Sequence, residues 1–406
     1  MAQDQMAYLC SQYPAISHTF INREIEQIEA QGIKVHPFTM NPGQVLAGGT
    51  EFEKAQLEIT YCLKKQNIFS VLQAQVSQFL RAPIGYLGGL FYAIKLQQGR
   101  PRDTLWAIFH FIEAAMLARQ MRKRGLKHVH VHFGGSEASI ALYACRAFGT
   151  TYSFTLHGPD VFYRIAAINL PEKIRNAKFV VCISNFARGQ AIRLVGVRDL
   201  DKFPIVHCGV DPDRYTPEGK EPDKDVFQIV CTGRLTPTKG QALLVMACKQ
   251  LKDEGRQFQC KLIGGGDEAA DLQRMVNELD LGDRVILTGP LPQDGVLDAL
   301  KRAHLFVLPS FAEGVPVVLM EAMSMEIPSV STRVGGIAEL IDSGQNSYLI
   351  HSGDPDGLAD ILRQAMDRPE ELARIGKAAR AFIKEEFDIR TNGTKLAKIF
   401  RDRATF

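Results

Sequence analysis

Ten short apolar runs alternate with helical stretches along this 406-residue chain. They are Ala7–Cys10, Val35–Thr39, His128–Phe133, Tyr152–Thr155, Phe179–Ile183, Phe227–Cys231, Lys261–Ile263, Val285–Thr288, Leu305–Leu308 and Ser329–Ser331. Helical periods lie between most of them, so the pattern is βαβ throughout. Strands joined through a helix cannot pair as a hairpin. They lie parallel, with helices on both faces of the sheet, which predicts an α/β fold of doubly wound parallel sheets. A chain of this length exceeds what one core usually supports, so two domains are expected. The linker falls at GVDPDRYTPEGKEPDKD, Gly209 to Asp225, where proline, glycine and charge concentrate. The domains are then 1–205 and 206–386, followed by a terminal segment, 387–406.

The densest chemistry lies in SFAEGVPVVLMEAMSMEIPSVSTRVGGIAE, Ser310 to Glu339, where Glu313 and Glu321 stand eight apart across a predicted helix start. Pro316 suits the first helical position, because its missing N–H would have no intrahelical partner there. Glu313 then precedes the helix, and Glu321 lies inside it, roughly 7–8 Å along the axis. Between them is a helix N-terminus, whose free amides and positive dipole end favour a phosphate or diphosphate. Two acids flanking an anion site suit one elongated ligand with a charged middle and hydroxylated ends.

A second constellation supplies cations. CTGRLTPTKG, Cys231 to Gly240, follows the strand at Phe227 and precedes the helical pattern ALLVMACKQL. A strand, a glycine-containing turn and a helix make an anion site at the carboxyl end of a parallel sheet. Arg234 forks onto two oxygens and Lys239 acts as a point charge. Taken singly, each of these side chains can also be read as a solvated surface charge, and Glu313 as an acid placed ahead of a helix dipole. Together and in this order, G-R-x(4)-K-G followed by E-x(7)-E, they resemble the retaining nucleotide-sugar transferases of glycosyltransferase family 4.

Further segments carry the resemblance. FTLHGPD, Phe154 to Asp160, looks like the family's His-Gly segment at the donor pocket, and IVHCGVD, Ile205 to Asp211, like its interdomain crossover. KLIGGGDE, Lys261 to Glu268, and RVILTGPL, Arg284 to Leu291, match the strand-turn units between the two motifs. YPAISHTFINREIEQIEAQGIKV, Tyr13 to Val35, resembles a polysaccharide-assembly subset, without the glycine pair many relatives place in this first loop. The resemblance implies a GT-B architecture: two Rossmann-like domains, with the acceptor on the first and the donor on the second, a ligand cleft between them, and a last helix, near Ile389–Arg403, returning to the first. It implies catalytic roles for His157, Arg234, Lys239 and Glu313. Gly233, Gly265, Gly289, Leu291, Gly314, Val315, Val317 and Glu321 would contact the donor. Glu313 would hold the sugar, Glu321 the ribose, and His157 would line the cleft beside the sugar. Arg234, Lys239 and the helix amides would carry the leaving diphosphate, with neither a metal nor another cofactor required.

Composition agrees with a globular enzyme, at 46% hydrophobic and 23% charged residues. Eight cysteines are scattered with no CxxC pair, which suggests reduced thiols and a cytoplasmic protein. No signal segment and no apolar run of membrane-spanning length is present, so a membrane crossing is not expected. The net charge of +3 hides a division: residues 1–205 hold 23 Lys/Arg and 14 Asp/Glu, and the remainder 25 and 31. Within 81–127, nine basic and two acidic residues interleave with APIGYLGGLFYAIKL and LWAIFHFIEAAML. This reads either as a surface resting on anionic lipid or as a packed helical pair with a solvated basic face. A lipid-linked saccharide or growing exopolysaccharide is the favoured acceptor, with a soluble one open. Nucleic acid is not expected, since no recognised binding fold appears.

Other patterns weigh less. HVHVH puts His128, His130 and His132 on one side of a strand, as metal ligands are, but a core strand is the commoner reason and no metal is expected. The D-P-D matches at Asp211 and Asp354 read as loop chemistry, and Gly264–Asp267 lacks dinucleotide-motif spacing. Gly335-Gly336 shapes a turn near the donor. Epimerases and phosphorylases share the architecture, but neither an epimerase's acid set nor a pyridoxal-binding lysine can be picked out. A non-catalytic scaffold would have eroded Arg234, Lys239, Glu313 or Glu321.

Overall fold

The computed structural model describes residues 4–15, 19–45, 50–158, 160–220, 222 and 225–406. Ile16–His18 of the first-loop motif, Pro159 of the His-Gly segment, and Glu221, Asp223 and Lys224 of the linker lie outside them. The chain forms two compact units. Unit 1 comprises Met1–Val206 with Thr391–Phe406, and unit 2 comprises His207–Arg390.

Unit 1 holds strands β1 (Gln5–Gln12), β2 (Lys34–Asn41), β3 (Tyr61–Cys62), β4 (His128–His132), β5 (Thr151–Leu156) and β6 (Val180–Cys182). They pair in parallel in the order β3-β2-β1-β4-β5-β6. Unit 2 holds β7 (Phe227–Thr232), β8 (Phe258–Ile263), β9 (Val285–Gly289), β10 (Leu305–Leu308), β11 (Ser329–Thr332) and β12 (Tyr348–Ile350), in the parallel order β12-β11-β10-β7-β8-β9. In each sheet the chain builds outward on one side of its first strand, then returns to build on the other. The reversal falls between β1 and β4 in unit 1 and between β7 and β10 in unit 2. Ligands bind at such switch points, beyond the carboxyl ends of the strands.

The HVHVH strand shows how unit 1 absorbs polar residues. Val129 and Val131 face one core cluster, with Phe111, Ile140 and Phe154. The three histidines face the other side, where His130 meets Tyr8 and Phe400 at ring-centroid distances of 5.1 and 4.9 Å. Phe400, on the terminal helix Ile389–Arg403, belongs to this second cluster with Ile25, Val35 and Phe179. Burial leaves the imidazoles needing partners, and β5 provides them. His128 contacts Thr151 Oγ1 and Ser153 Oγ at 2.9 and 2.8 Å, and His130 contacts Ser153 Oγ and Thr155 Oγ1 at 2.8 and 2.9 Å. Burial holds His128 down to about 3 and His130 well below the usual imidazole range, so both rings stay neutral.

Candidate functional site

In unit 2 the carboxyl ends of four neighbouring strands converge. The chain leaves β7 through Gly233 and Arg234, makes a short 3-10 turn at Pro237–Lys239, and enters the helix Gln241–Asp253. It leaves β10 through Ser310 and Glu313 into the helix Val317–Ser324, with Pro316 at the N-cap. The sequence places Pro316 inside the helix. In the structure its ψ of 122° is extended, so the helix begins one residue later. No described side chain caps this helix, so its first amides keep their donor capacity.

The two loops are laced together. Phe311 N donates to the Thr238 carbonyl at 2.8 Å, and Lys239 Nζ donates to Glu313 Oε1 at 2.6 Å. Ser310 Oγ donates to the same oxygen at 2.7 Å. Thr332 Oγ1, at the end of β11, donates to the Ser310 carbonyl. Oε2 of Glu313 takes part in neither side-chain bond. Glu313 is buried, Lys239 half-buried and Arg234 exposed. The Arg234 carbonyl accepts from Gln241 Nε2 at 3.0 Å, which fixes the backbone beneath the guanidinium. Lys239 and Glu313 thus meet at the β7/β10 switch point as an ion pair, where the sequence reading gave them separate tasks.

Backbone contacts bring in the remaining residues. Gly264, after β8, has φ +147°, and a Cβ on it would lie 1.9 Å from the Gly233 carbonyl oxygen. Only glycine lets the β8 turn press onto the Arg234 loop. Leu235 N donates to the Gly265 carbonyl at 3.0 Å, and Gly264 N to that of Gly289 at 3.0 Å. Leu291 follows Gly289, half-buried. The Glu313 loop is fixed by a second close approach. Gly336 N donates to the Gly314 carbonyl at 2.8 Å, and a Cβ on Gly335, whose φ is +54°, would lie 1.8 Å from the Glu313 carbonyl oxygen. Val315 is buried and Val317 half-buried, and Glu321 is buried one helical turn further on. Sequence reading missed Ser310, Thr332 and the exact seat of Gly335. Ser310 stands three residues before Glu313, a spacing that signals nothing until the loop is folded.

His157 lies in unit 1, just past β5, and is buried. Its Nε2 is 2.8 Å from His132 Nδ1, and its ring packs on Phe20 and Phe133 at 4.7 and 5.0 Å. His132 Nε2 is 3.4 Å from Glu24 Oε1, which accepts from Tyr8 Oη at 2.9 Å. A carboxylate therefore reaches the histidine strand, brought from 108 positions upstream of His132 by the helix Thr19–Ala30. Ligand atoms of Glu24, His130 and His132 lie within 4.8 Å of one another, yet both nitrogens of His130 are already engaged by Ser153 and Thr155.

Unit 1 also carries a cavity of 470 Å³ at its own switch point. Ser11 and Asn41 line it from the ends of β1 and β2, Trp106 and His110 from the helix Pro101–Lys123, and Glu137 and Lys173 from below. Trp106 and His110 stack at 6.1 Å with a 25° interplanar angle, a half-exposed aromatic face beside polar groups. Lys173 is fully buried and donates to the carbonyls of Gly134 and Gly135 at 2.9 and 2.6 Å. Burial lowers its ammonium to about 7 and raises the Glu137 carboxyl. A larger cavity of 710 Å³ in unit 2, lined by Arg333, Glu339 and Asp342, includes none of the residues expected to contact a donor.

Residues 215–382 match the family described as glycosyl transferases group 1, and residues 86–214 match glycosyltransferase family 4. The chain is 33% identical over 205 residues to the amylovoran biosynthesis glycosyltransferase AmsK of Erwinia amylovora, covering 49% of this chain and spanning only half of that protein's length. It is 26% identical over 316 residues to the GDP-mannose-dependent alpha-(1-6)-phosphatidylinositol monomannoside mannosyltransferase of Mycolicibacterium smegmatis, covering 72% of this chain and 81% of that one. The crystal structure of Anabaena Alr3699/HepE in complex with UDP superposes with a TM-score of 0.72 at 19% identity, over 98% of this chain and 100% of that one. Two parallel six-stranded sheets with this topology, and two family matches that run unbroken from residue 86 to 382, place the chain in glycosyltransferase family 4 with the GT-B fold.

Proposed function

We propose that this chain is a retaining glycosyltransferase that moves a sugar from a UDP- or GDP-linked donor to a saccharide or lipid-linked acceptor, in exopolysaccharide or glycolipid synthesis at the inner face of the cytoplasmic membrane. The observation that carries the reading is the meeting of Lys239 and Glu313 at the β7/β10 switch point, beside Arg234 and an uncapped helix N-terminus. The relatives' names supply the substrate class: amylovoran biosynthesis for one, GDP-mannose and a phosphatidylinositol mannoside for another.

In this reading the diphosphate lies over the amides of Gly314, Val315 and Val317, with Arg234 forked on one phosphate. Lys239 has three N–H donors, so it keeps Glu313 on one and offers the others to phosphate oxygens. As the glycosidic bond breaks, charge grows on the leaving diphosphate, and these fixed donors stabilise it. The charge balance then needs no metal ion. Ser310 and Lys239 anchor Oε1 of Glu313, which aims Oε2 at the sugar hydroxyls. Glu321 takes the ribose hydroxyls, and Gly233, Gly265, Gly289 and Leu291 wall the base and phosphates. His157, oriented by His132, is assigned to the sugar's anomeric side. No nucleophile is identified for a covalent intermediate, so attack from the same face within an ion pair accounts for retention. The acceptor's proton leaves to a donor phosphate oxygen, and the Trp106–His110 cavity holds the acceptor. Glu313→Ala is expected to abolish transfer while the chain stays folded, its stability lowered by about 1–3 kcal/mol because Lys239 and Ser310 lose their shared partner. Near-normal transfer by that variant would remove the assigned role.

A further inference from the structure

The helices Ile68–Arg81 and Pro83–Lys95 reverse the usual order of a surface helix, in which the apolar stripe faces the core. Their fully buried positions are small or polar, Ala74 and Gln78 on the first and Gly89 and Ala93 on the second, with Val71, Tyr86 and Leu90 packed partly buried beside them. Their outward positions are large and apolar. Phe69 is 73% exposed, Leu80 75% and Ile84 87%, with Leu72, Leu87 and Phe91 more than half exposed. This orientation is locked. A Cβ on Gly85 would lie 2.4 Å from the Ala147 carbonyl oxygen and one on Gly89 2.5 Å from the Ala147 Cβ, so the second helix is pressed flat on the helix Ser136–Phe148. It cannot roll to hide its outer face. So large an apolar surface marks an interaction site.

The charge around it says what covers it. From Ile59 to Arg102 the chain has six basic residues, Lys64, Lys65, Arg81, Lys95, Arg100 and Arg102, and not one acid. They stand at the helix ends as a rim: Lys64 and Lys65 ahead of the first helix, Arg81 and Lys95 closing the two, Arg100 and Arg102 opening the helix Pro101–Lys123. Arg100 is paired to Asp103 at 3.1 Å. A second copy of the same face would bring like charges together, whereas an anionic bilayer offers hydrocarbon for the apolar ridge and phosphate for the rim. Among the described residues no helix is long and apolar enough to cross a membrane, so the contact is interfacial.

We propose that the outer faces of these two helices dock unit 1 on an anionic membrane, seating Phe69, Leu72, Leu80, Ile84, Leu87 and Phe91 at the headgroup–acyl boundary. The helix Pro101–Lys123 begins at the rim and carries Trp106 and His110 into the cavity, so docking holds that cavity at the lipid surface. Taken together with the glycosyltransferase reading, on which this last step rests, the acceptor is a saccharide carried on an anionic lipid.

The test is co-sedimentation of the full chain with phosphatidylcholine vesicles and with phosphatidylcholine–phosphatidylglycerol vesicles, at low and high salt. Binding is expected on the anionic vesicles and to weaken in salt. Ile84→Asp with Phe91→Asp is expected to lower the partition coefficient by at least a hundredfold, about tenfold for each buried apolar side chain lost. Lys64→Gln, Lys65→Gln and Arg81→Gln together are expected to remove the preference for the anionic lipid while leaving residual binding to phosphatidylcholine. Melting temperature and nucleoside diphosphate binding, which reads unit 2, check that each variant is folded. No sedimentation with either vesicle, parent-like sedimentation of both variants, or a dimer that Ile84→Asp dissolves would each overturn the docking surface. Vesicle binding without nucleoside diphosphate binding would instead keep the docking surface and overturn the glycosyltransferase reading.

Discussion

Gly335→Ala perturbs the proposed donor site from a residue that need not touch the donor. A Cβ built on Gly335 falls 1.8 Å from the Glu313 carbonyl oxygen, and side chains essentially never approach closer than 3.0 Å, so the two backbones must part by about 1.2 Å. That displacement exceeds the slack in the bonds at 2.6 and 2.7 Å by which Lys239 and Ser310 hold the Glu313 carboxylate. A misplacement of about 1 Å in a positioning group costs on the order of a hundredfold in rate, so kcat/KM is expected to fall by about that factor. Alanine at φ +54° adds backbone strain of about 1 kcal/mol. Gly344→Ala separates the two effects, since Gly344 has φ +82° with nothing within 4 Å of an added Cβ. It carries the strain without the collision. Steady-state transfer and calorimetric titration with the nucleoside diphosphate, run on both variants, read the difference. If Gly335→Ala stays within about twofold of Gly344→Ala in kcat/KM, the claim that this turn seats Glu313 is wrong.

Lys239→Met leaves a buried carboxylate with Ser310 alone, and because the ammonium is 21% exposed the expected loss of stability is about 1–3 kcal/mol, read by urea unfolding. Adding Glu313→Gln to it is expected to restore most of that stability and none of the transfer, since the buried charge is gone along with the anchor proposed for the sugar. The neutral histidines of β4 predict acid lability. The unfolded chain takes up a proton on each near pH 6.5, whereas His128 does so only at about 3 in the fold, so the unfolded state binds more protons in that window and stability falls as pH drops. At pH 4.5 the loss from His128 is about 2–3 kcal/mol, and His130→Gln is expected to lower the pH slope of unfolding by close to one proton.

The alternation of strand and helix was legible because each buried parallel strand must be apolar and each crossover must be long. The strands missed, β3 and β12, are edge strands of two and three residues whose pairing is imposed by their neighbours. Arg234, Lys239, Glu313 and Glu321 were legible as residue types at a spacing. That Lys239 and Glu313 share a bond was not, because 74 positions separate them and only the adjacency of β7 and β10 joins them. The same holds for Gly335, whose need for glycine arises from a carbonyl 22 residues upstream. Glu24 reaching His132 is a third long-range meeting of this kind. For residues 82–96 the apolar helix was visible, but not which way it faced, and the helix Ile68–Arg81 was not read at all. Small residues that look neutral in sequence, Gly85, Gly89 and Ala93, set the orientation by letting the helix lie close to its neighbour.

The proposed donor site has unit 2 grip a nucleoside diphosphate through Arg234, Lys239 and the amides of Gly314, Val315 and Val317, without a metal ion. Calorimetric titration with UDP, GDP, ADP and NAD in the presence of a chelator tests it directly, on the parent chain and on Arg234→Ala. One-to-one binding of UDP or GDP is expected, surviving the chelator and weakening by about ten- to a hundredfold in Arg234→Ala, the span of a charge-assisted hydrogen-bonded pair. Binding of NAD alone, binding that disappears with the chelator, or binding indifferent to Arg234 would contradict it.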